Sequence, residues 1–319
     1  MIWGILAFVL LSICVAVGVL FCKIAIDAAY VKKLQQRQAQ KQQTAGTDAV
    51  QKESRLATEM DTHWLENAER RQELYITSFD GLKLHAYLLA RPDAPWVILC
   101  HGYTSNGMSM SYQAQRFWDR GFSVLLPDAR VHGKSEGKFI GMGWPDRKDV
   151  IAWIHLLNQR FDCPPILLYG LSMGAATVMM TAGEALPSNV KAVIEDCGYS
   201  SIRDEFDYNL KSIFHLPAPL AAPILHLSSL IAGLWAGYSF VREGSCLKQL
   251  KRSRLPVLFI HGGNDTFVPT YMVDKVFAAA SGCKEKLVIP GAAHAESVLV
   301  DPPLYWKRVE QFCQKHMAQ

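Results

Sequence analysis

No Cys-x-x-C pair occurs in the 319 residues, so the usual zinc sites and dithiol redox motifs are not expected. The eight cysteines are scattered instead. Cys14 and Cys22 lie in an N-terminal apolar stretch, and Cys100, Cys163, Cys197, Cys246, Cys283 and Cys313 stand singly in the rest. Several sit in apolar runs, where cysteine acts as a small core residue, and the pattern suits a reducing compartment. Nucleotide-binding and metal-binding motifs are missing, and there is no internal repeat. The net charge is only +4, with no basic patch interleaved with aromatics, so no nucleic acid partner is expected.

Charge is absent altogether from residues 1–22, MIWGILAFVLLSICVAVGVLFC. As a helix they would reach roughly 33 Å, enough for a hydrocarbon core of about 30 Å. A cleaved leader would want a basic start, a shorter apolar run and a small-residue processing site. Here no Lys or Arg precedes the run, and Val19, Leu20 and Phe21 before Cys22 are bulky. Residues 1–30 are therefore expected to be an uncleaved anchor crossing the cell membrane once, with the lipid bilayer as a partner. Lys23, Lys32, Lys33, Arg37 and Lys41 follow it, which favours a cytoplasmic C-terminal part. Residues 31–60, rich in Gln, Lys, Ala and Thr, read as a polar linker or stalk lifting a domain at 61–319 off the membrane.

From about Leu74 apolar strand patterns alternate with helical ones. A hairpin is expected around Asp80-Gly81, then buried strands at WVILCHG, FSVLLPDAR, ILLYG, KAVIEDCG, PVLFIHGG and KLVIPGA. Strands separated by helices imply crossover connections and a mostly parallel sheet covered on both faces. Between Gly198 and Leu255 no strand pattern appears, and 216–238 is apolar with several prolines. A segment that long is usually functional or a substructure of its own. It is expected to be a helical lid at about 199–254. A second membrane span is the rival, interrupted by Pro217, Pro219, Pro223 and His226.

The run ILLYGLSMGAA puts Ser172 in a Gly-x-Ser-x-Gly turn. Three fixed positions match by chance in about one chain in ten of this length, so the motif needs partners. Ligands and reactive groups in parallel sheets collect at the carboxyl ends of strands. Asp265 follows LFIHGGN and His294 follows LVIPGAA, so three strand ends offer a hydroxyl, a carboxylate and an imidazole. Serine needs a base to take its proton, histidine titrates near neutrality, and a carboxylate sets the imidazole tautomer. After WVILC comes HGYTSNG, where the backbone N–H of Tyr103 can join that of Met173 as a two-donor oxyanion hole. His101 is expected to be structural, and Asp128 and His132 to brace a turn.

GLSMG, HGYTSNG, PDARVHGKSEG, HGGNDTFVP and GAAHAES together resemble the α/β-hydrolase superfamily over roughly 74–318. The similarity is to its lidded serine-hydrolase branch, including serine aminopeptidases, lysophospholipase-like lipases and bacterial hydrolases with an N-terminal anchor. The resemblance implies an eight-stranded α/β sheet with a lid after strand 6. It also implies Ser172 as nucleophile, Asp265 as acid, His294 as base, and Tyr103 and Met173 as oxyanion donors, with no cofactor or metal. Val131 stands where many relatives have a turn glycine, so that loop is expected to differ in shape. The expected reaction is cleavage of an ester, thioester or amide through an acyl-enzyme, with a small-molecule, acyl or peptide substrate. The apolar lid favours acyl substrates. An aminopeptidase is the alternative, with Glu195, Asp196, Asp204, Glu205 and Asp207 as candidates to hold a free amino group. A ligand-binding protein without catalysis is the reading from another class. The sequence leaves the oligomeric state open.

Overall fold

The computed structural model describes residues 2–33, 64–212, 215 and 217–317. After α1 (Ile2–Ile26) and the short α2 (Trp64–Asn67), eight strands alternate with helices. The strands are β1 (Gln72–Thr77), β2 (Lys83–Leu89), β3 (Trp96–Cys100), β4 (Ser123–Pro127), β5 (Ile166–Leu171), β6 (Val190–Asp196), β7 (Val257–Gly262) and β8 (Lys284–Ile289). They form one sheet in the order β1-β2-β4-β3-β5-β6-β7-β8. β1 and β2 are antiparallel to their neighbours, and the other pairings are parallel. The expected fold class holds.

Alternate side chains of the central strands enter two separate cores, as a sheet covered on both faces requires. In β3, Trp96, Ile98 and Cys100 join one core, and Val97 and Leu99 the other. The first core is covered by α4 (Asp146–Arg160) and α5 (Met173–Ala182). The second is covered by α3 (Ser111–Trp118) and the C-terminal helix (Pro302–Met317), through Phe117, Trp306 and Phe312. Every residue of α5 is buried, which explains its run of small and apolar side chains.

Between β6 and β7 stand α6 (Ile202–Ser212), α7 (Ala218–Ala236) and α8 (Cys246–Arg252), the expected helical lid. The prolines, however, do not interrupt 219–236. Pro217 is the N-cap and Pro219 lies in the first turn, where backbone N–H groups have no partner to lose. Only Pro223 sits inside the helix. The uninterrupted α7 is long and apolar enough to cross a membrane by length and composition.

The end of α1 is built into the domain. Phe21, Cys22, Ala25 and Ile26 are buried in the first core, and Phe21 meets Phe206 of α6 edge-on at 5.3 Å. Helix ends leave carbonyls unpartnered; here the Tyr103 hydroxyl donates to those of Ile24 and Ala25 (3.3 and 3.0 Å). The Ile140 amide takes that of Ile26 (2.8 Å). Cys22 Sγ donates to Ser228 O of α7 at 3.0 Å. The helix turns run on through 28–33, and Val31 is buried, so no break falls at residue 31. The rest of the expected linker, 34–60, lies outside the described residues.

Candidate active site

Ser172 stands between β5 and α5 with φ 55° and ψ −114°. An L-residue held there costs on the order of 1–3 kcal/mol, and such strain persists only where neighbours enforce it. Two glycines explain the enforcement. A Cβ at Gly170 would lie 2.2 Å from Gly174 O, and one at Gly174 would lie 2.0 Å from Cys100 O. The turn is pinned by Ser172 N donating to Asp196 O (2.8 Å) and Ala176 N donating to Ser172 O (3.0 Å). The Gly-x-Ser-x-Gly pattern is thus a steric requirement of this crossing.

Three loops bring the expected side chains together. His294 Nε2 lies 2.9 Å from Ser172 Oγ, and its Nδ1 lies 2.7 Å from Asp265 Oδ2. Asp265 Oδ1 accepts from the amides of Phe267 and Val268, both at 2.9 Å. Burial pushes the Asp265 carboxyl up, but hydrogen bonds from His261 and His294 outweigh it and hold the group at about 2. An ionised Asp265 only accepts, so His294 carries its proton on Nδ1. Its bare Nε2 then faces the serine hydroxyl.

His261 was missed in the sequence. It is fully buried, donates from Nε2 to Val268 O at 2.9 Å and lies 3.4 Å from Asp265 Oδ2. Burial lowers its pKa, but the Asp265 beside it prevails and raises it. The only signal was its position in HGGND, before the acid. Cys197 also approaches, its Sγ within 4.8 Å of ligand atoms on Asp265 and His294. Burial raises that thiol well above its ordinary pKa.

Gly102 lies against Ser172; a Cβ there would be 3.5 Å from Ser172 Cβ. The backbone N–H groups of Tyr103 and Met173 are taken by no other acceptor among the described residues, and Met173 opens α5, where the helix dipole favours an anion. His101 donates from Nδ1 to Gly102 O (2.7 Å) and accepts at Nε2 from Ala129 N (3.0 Å). Burial holds its pKa down at about 4, so it is a neutral brace. Asp128 accepts from Gly107 N, Lys134 N and His85, and His132 Nε2 accepts from Thr104 N at 3.2 Å. Val131 takes φ 65°, rare for a β-branched residue. The loop keeps the left-handed turn without the glycine.

Beside Ser172 opens a cavity of about 170 Å³, apolar apart from one corner. Met142, Tyr199, Phe206 and Phe267 line it, and the end of α1 closes one wall with Phe21, Ile24 and Ala25. Glu205 and Asn209 of α6 form the polar corner. Glu205 Oε1 accepts from Asn209 Nδ2 at 2.9 Å, while Glu205 Oε2 and Asn209 Oδ1 have no partner among the described residues. Of the five acids considered, only Glu205 lines the cavity. Glu195 and Asp196 are buried beside Gly198 and Tyr305, whereas Asp204 pairs with Lys275 and Asp207 with Lys211.

The family model described as serine aminopeptidase, S33, matches residues 91–230, which include Ser172 but stop short of Asp265 and His294. YqkD of Bacillus subtilis, described as uncharacterized, is 29% identical over 239 residues, covering 74% of this chain and 77% of its own. The α/β hydrolase domain-containing protein WAV2 of Arabidopsis thaliana is 23% identical over 263 residues, covering 78% and 80%. Among solved structures, the Pyrococcus furiosus esterase Pf2001 superposes with a TM-score of 0.63 at 24% identity. The match covers 78% of this chain and 92% of the esterase.

Proposed function

We propose that this chain, a member of the α/β-hydrolase superfamily, is a membrane-anchored serine hydrolase that cleaves acyl esters or thioesters through an acyl-enzyme. The observation that carries the reading is His294 bridging Ser172 Oγ and Asp265 at 2.9 and 2.7 Å. The proton of Ser172 moves to His294 Nε2 as Oγ attacks the carbonyl carbon. The oxyanion then accepts from the N–H groups of Tyr103 and Met173, and Asp265 stabilises the imidazolium. His294 gives the proton to the leaving group, and the C–O or C–S bond breaks. Water, deprotonated by the same imidazole, releases the acid and restores Ser172.

The apolar cavity supports an acyl substrate. Its volume suits a chain rather than folded polypeptide. α1 is read as a single span of the cell membrane, its 25 residues reaching roughly 37 Å. The lysines after it argue for a cytoplasmic domain. One observation favours the second reading, an aminopeptidase: Glu205 and Asn209 line the cavity, and each keeps an acceptor oxygen with no partner among the described residues, as a substrate ammonium would require.

A fluorophosphonate probe tests the central claim. It should label Ser172 in the full chain and leave Ser172→Ala unlabelled. A wild-type chain that takes no probe and turns over no ester, thioester or aminoacyl substrate would be a binding protein instead.

A further inference from the structure

We propose that the lid helix α7 lies in the same membrane layer as α1, so that the Ser172 cavity opens onto the bilayer and takes acyl lipids directly from it. The proposal rests on reading α1 as a membrane span and on the hydrolase reading of the site.

The first observation is the outer face of α7. The helix contains no Asp, Glu, Lys or Arg. Leu220, Leu230, Leu234 and Trp235 point outward with 45, 62, 79 and 38% of their surface exposed. An exposed His226 is the one polar side chain among them, whereas a lid turned toward water would carry several charged or polar groups on that side. The second is its neighbour. α7 packs along α1 at Gly18, where a Cβ would lie in ordinary contact with the side chains of Leu227 (3.4 Å) and Ile231 (3.5 Å). Ile13, Val15 and Leu20 of α1 are themselves exposed. The two helices therefore present one uncharged surface, continuous with the span.

The third observation is where charge returns. Lys23 in the last turn of α1, then Lys32, Lys138 and Arg242, are all exposed. At this end Trp235 of α7 stacks on Phe139 at 6.2 Å, and Phe139 bridges to Asp27. Tryptophan beside lysine and arginine marks the headgroup level of a membrane protein. Both helices thus reach the interface together. The fourth observation is the cavity, whose wall includes Phe21, Ile24 and Ala25. The stretch of α1 that lines the acyl site is the stretch that meets the interface. A chain leaving the bilayer would enter without crossing water.

Cysteine labelling of the full chain in phosphatidylcholine vesicles tests the geometry, with exposed Cys163 and Cys283 changed to Ser. An NBD label at Leu230→Cys or Leu234→Cys should be quenched by doxyl lipids and sheltered from aqueous iodide, as at Ile13→Cys. Lys307→Cys, on the opposite face of the sheet, should behave in reverse. Iodide quenching at 230 and 234, with doxyl quenching at 13, would overturn the proposal and leave α1 a span. Iodide quenching at 13 would overturn the span reading and the proposal together. Shelter from both quenchers at 230 and 234 would mean a second copy covers α7, and would overturn it too. In the activity arm, Leu230→Glu with Leu234→Glu should cut turnover of a vesicle-embedded acyl ester at least tenfold relative to a dissolved acetate ester. Equal losses would refute bilayer delivery. If the wild-type chain hydrolyses neither ester, the hydrolase reading fails, and quenching still decides where α7 lies.

Discussion

Glu205→Gln separates the acyl reading from the aminopeptidase reading. Glu205 is 3% exposed, and one of its oxygens has no partner in a cavity that is otherwise mostly apolar. Burial drives its carboxyl up to about 8, with Asp265 adding to the rise and Asn209 opposing it. At pH 6 the group is neutral and tolerates an acyl chain beside it. One unit above 8 the carboxylate outnumbers the acid roughly ten to one, and an unpaired charge in an apolar site is costly. If only the neutral form accepts a long chain, kcat/KM for an octanoate ester should fall about fivefold between pH 8 and 9, equivalent to about 1 kcal/mol. The glutamine side chain keeps the acceptor for Asn209 and never ionises.

The assay is kcat/KM for octanoate and acetate esters from pH 6 to 9.5, in wild type and Glu205→Gln. The alkaline fall should appear for wild-type octanoate, vanish in the variant, and be absent for acetate, which is too short to reach α6. An identical alkaline limb in both proteins refutes the assignment. An aminoacyl substrate should show the opposite if the site holds an ammonium. Removing one partner of a buried charge pair costs on the order of 2–5 kcal/mol, so Glu205→Gln would then lose roughly thirtyfold or more.

Three further outcomes are expected. Asp265→Asn should lose on the order of 10⁴ in turnover by mis-setting the His294 tautomer, whereas Asp196→Asn should stay within tenfold, because Asp196 accepts from Tyr305 (2.8 Å) and not from His294; a crippled Asp196→Asn would move the acid to β6. Gly174→Ala should abolish probe labelling, since its Cβ would meet Cys100 O at 2.0 Å; normal labelling would show that the elbow relaxes freely. Glu195 is fully buried and pushed up to about 8, so the folded chain keeps a proton that the unfolded chain releases above about 4.3. Stability should therefore fall as pH rises from about 4 to 8, by up to about 1.4 kcal/mol per unit, and Glu195→Gln should flatten that slope in denaturant titrations at pH 5 and 8; an unchanged slope refutes it.

The strands and the elbow were legible because their causes are local. Continuous apolar runs mark strands buried on both faces, and glycines flank Ser172 because a Cβ has no room. Asp265 and His294 were legible because parallel strands deliver their ends to one edge. What could not be read depends on packing between distant segments. Glu205, Asp204 and Asp207 share one helix, and spacing alone does not say which faces inward. The prolines near 219 suggested interruption, yet in a first turn proline costs little. The docking of Gly18 and Cys22 on α7 joins segments more than 200 residues apart, and no local pattern records it.

Tyr103 links α1 to the candidate site. Its backbone N–H is the proposed oxyanion donor, and its hydroxyl holds two carbonyls at the end of α1. The docking is not loose: burying Phe21 and Ile26 is worth roughly 3–6 kcal/mol before ordering costs, several times thermal energy. A domain swinging freely on a tether would present its cavity to the membrane only in passing. Here α1 forms part of the cavity wall, so under the proposed span reading the site would keep one orientation to the bilayer. The same contacts mean that cutting the chain after α1 would remove more than an anchor. It would expose Phe206 and the α7 groove, open the acyl site on one side, and leave the Tyr103 hydroxyl without its acceptors. In this chain, the docking of α1 and the shape of the cavity beside Ser172 are one structural feature.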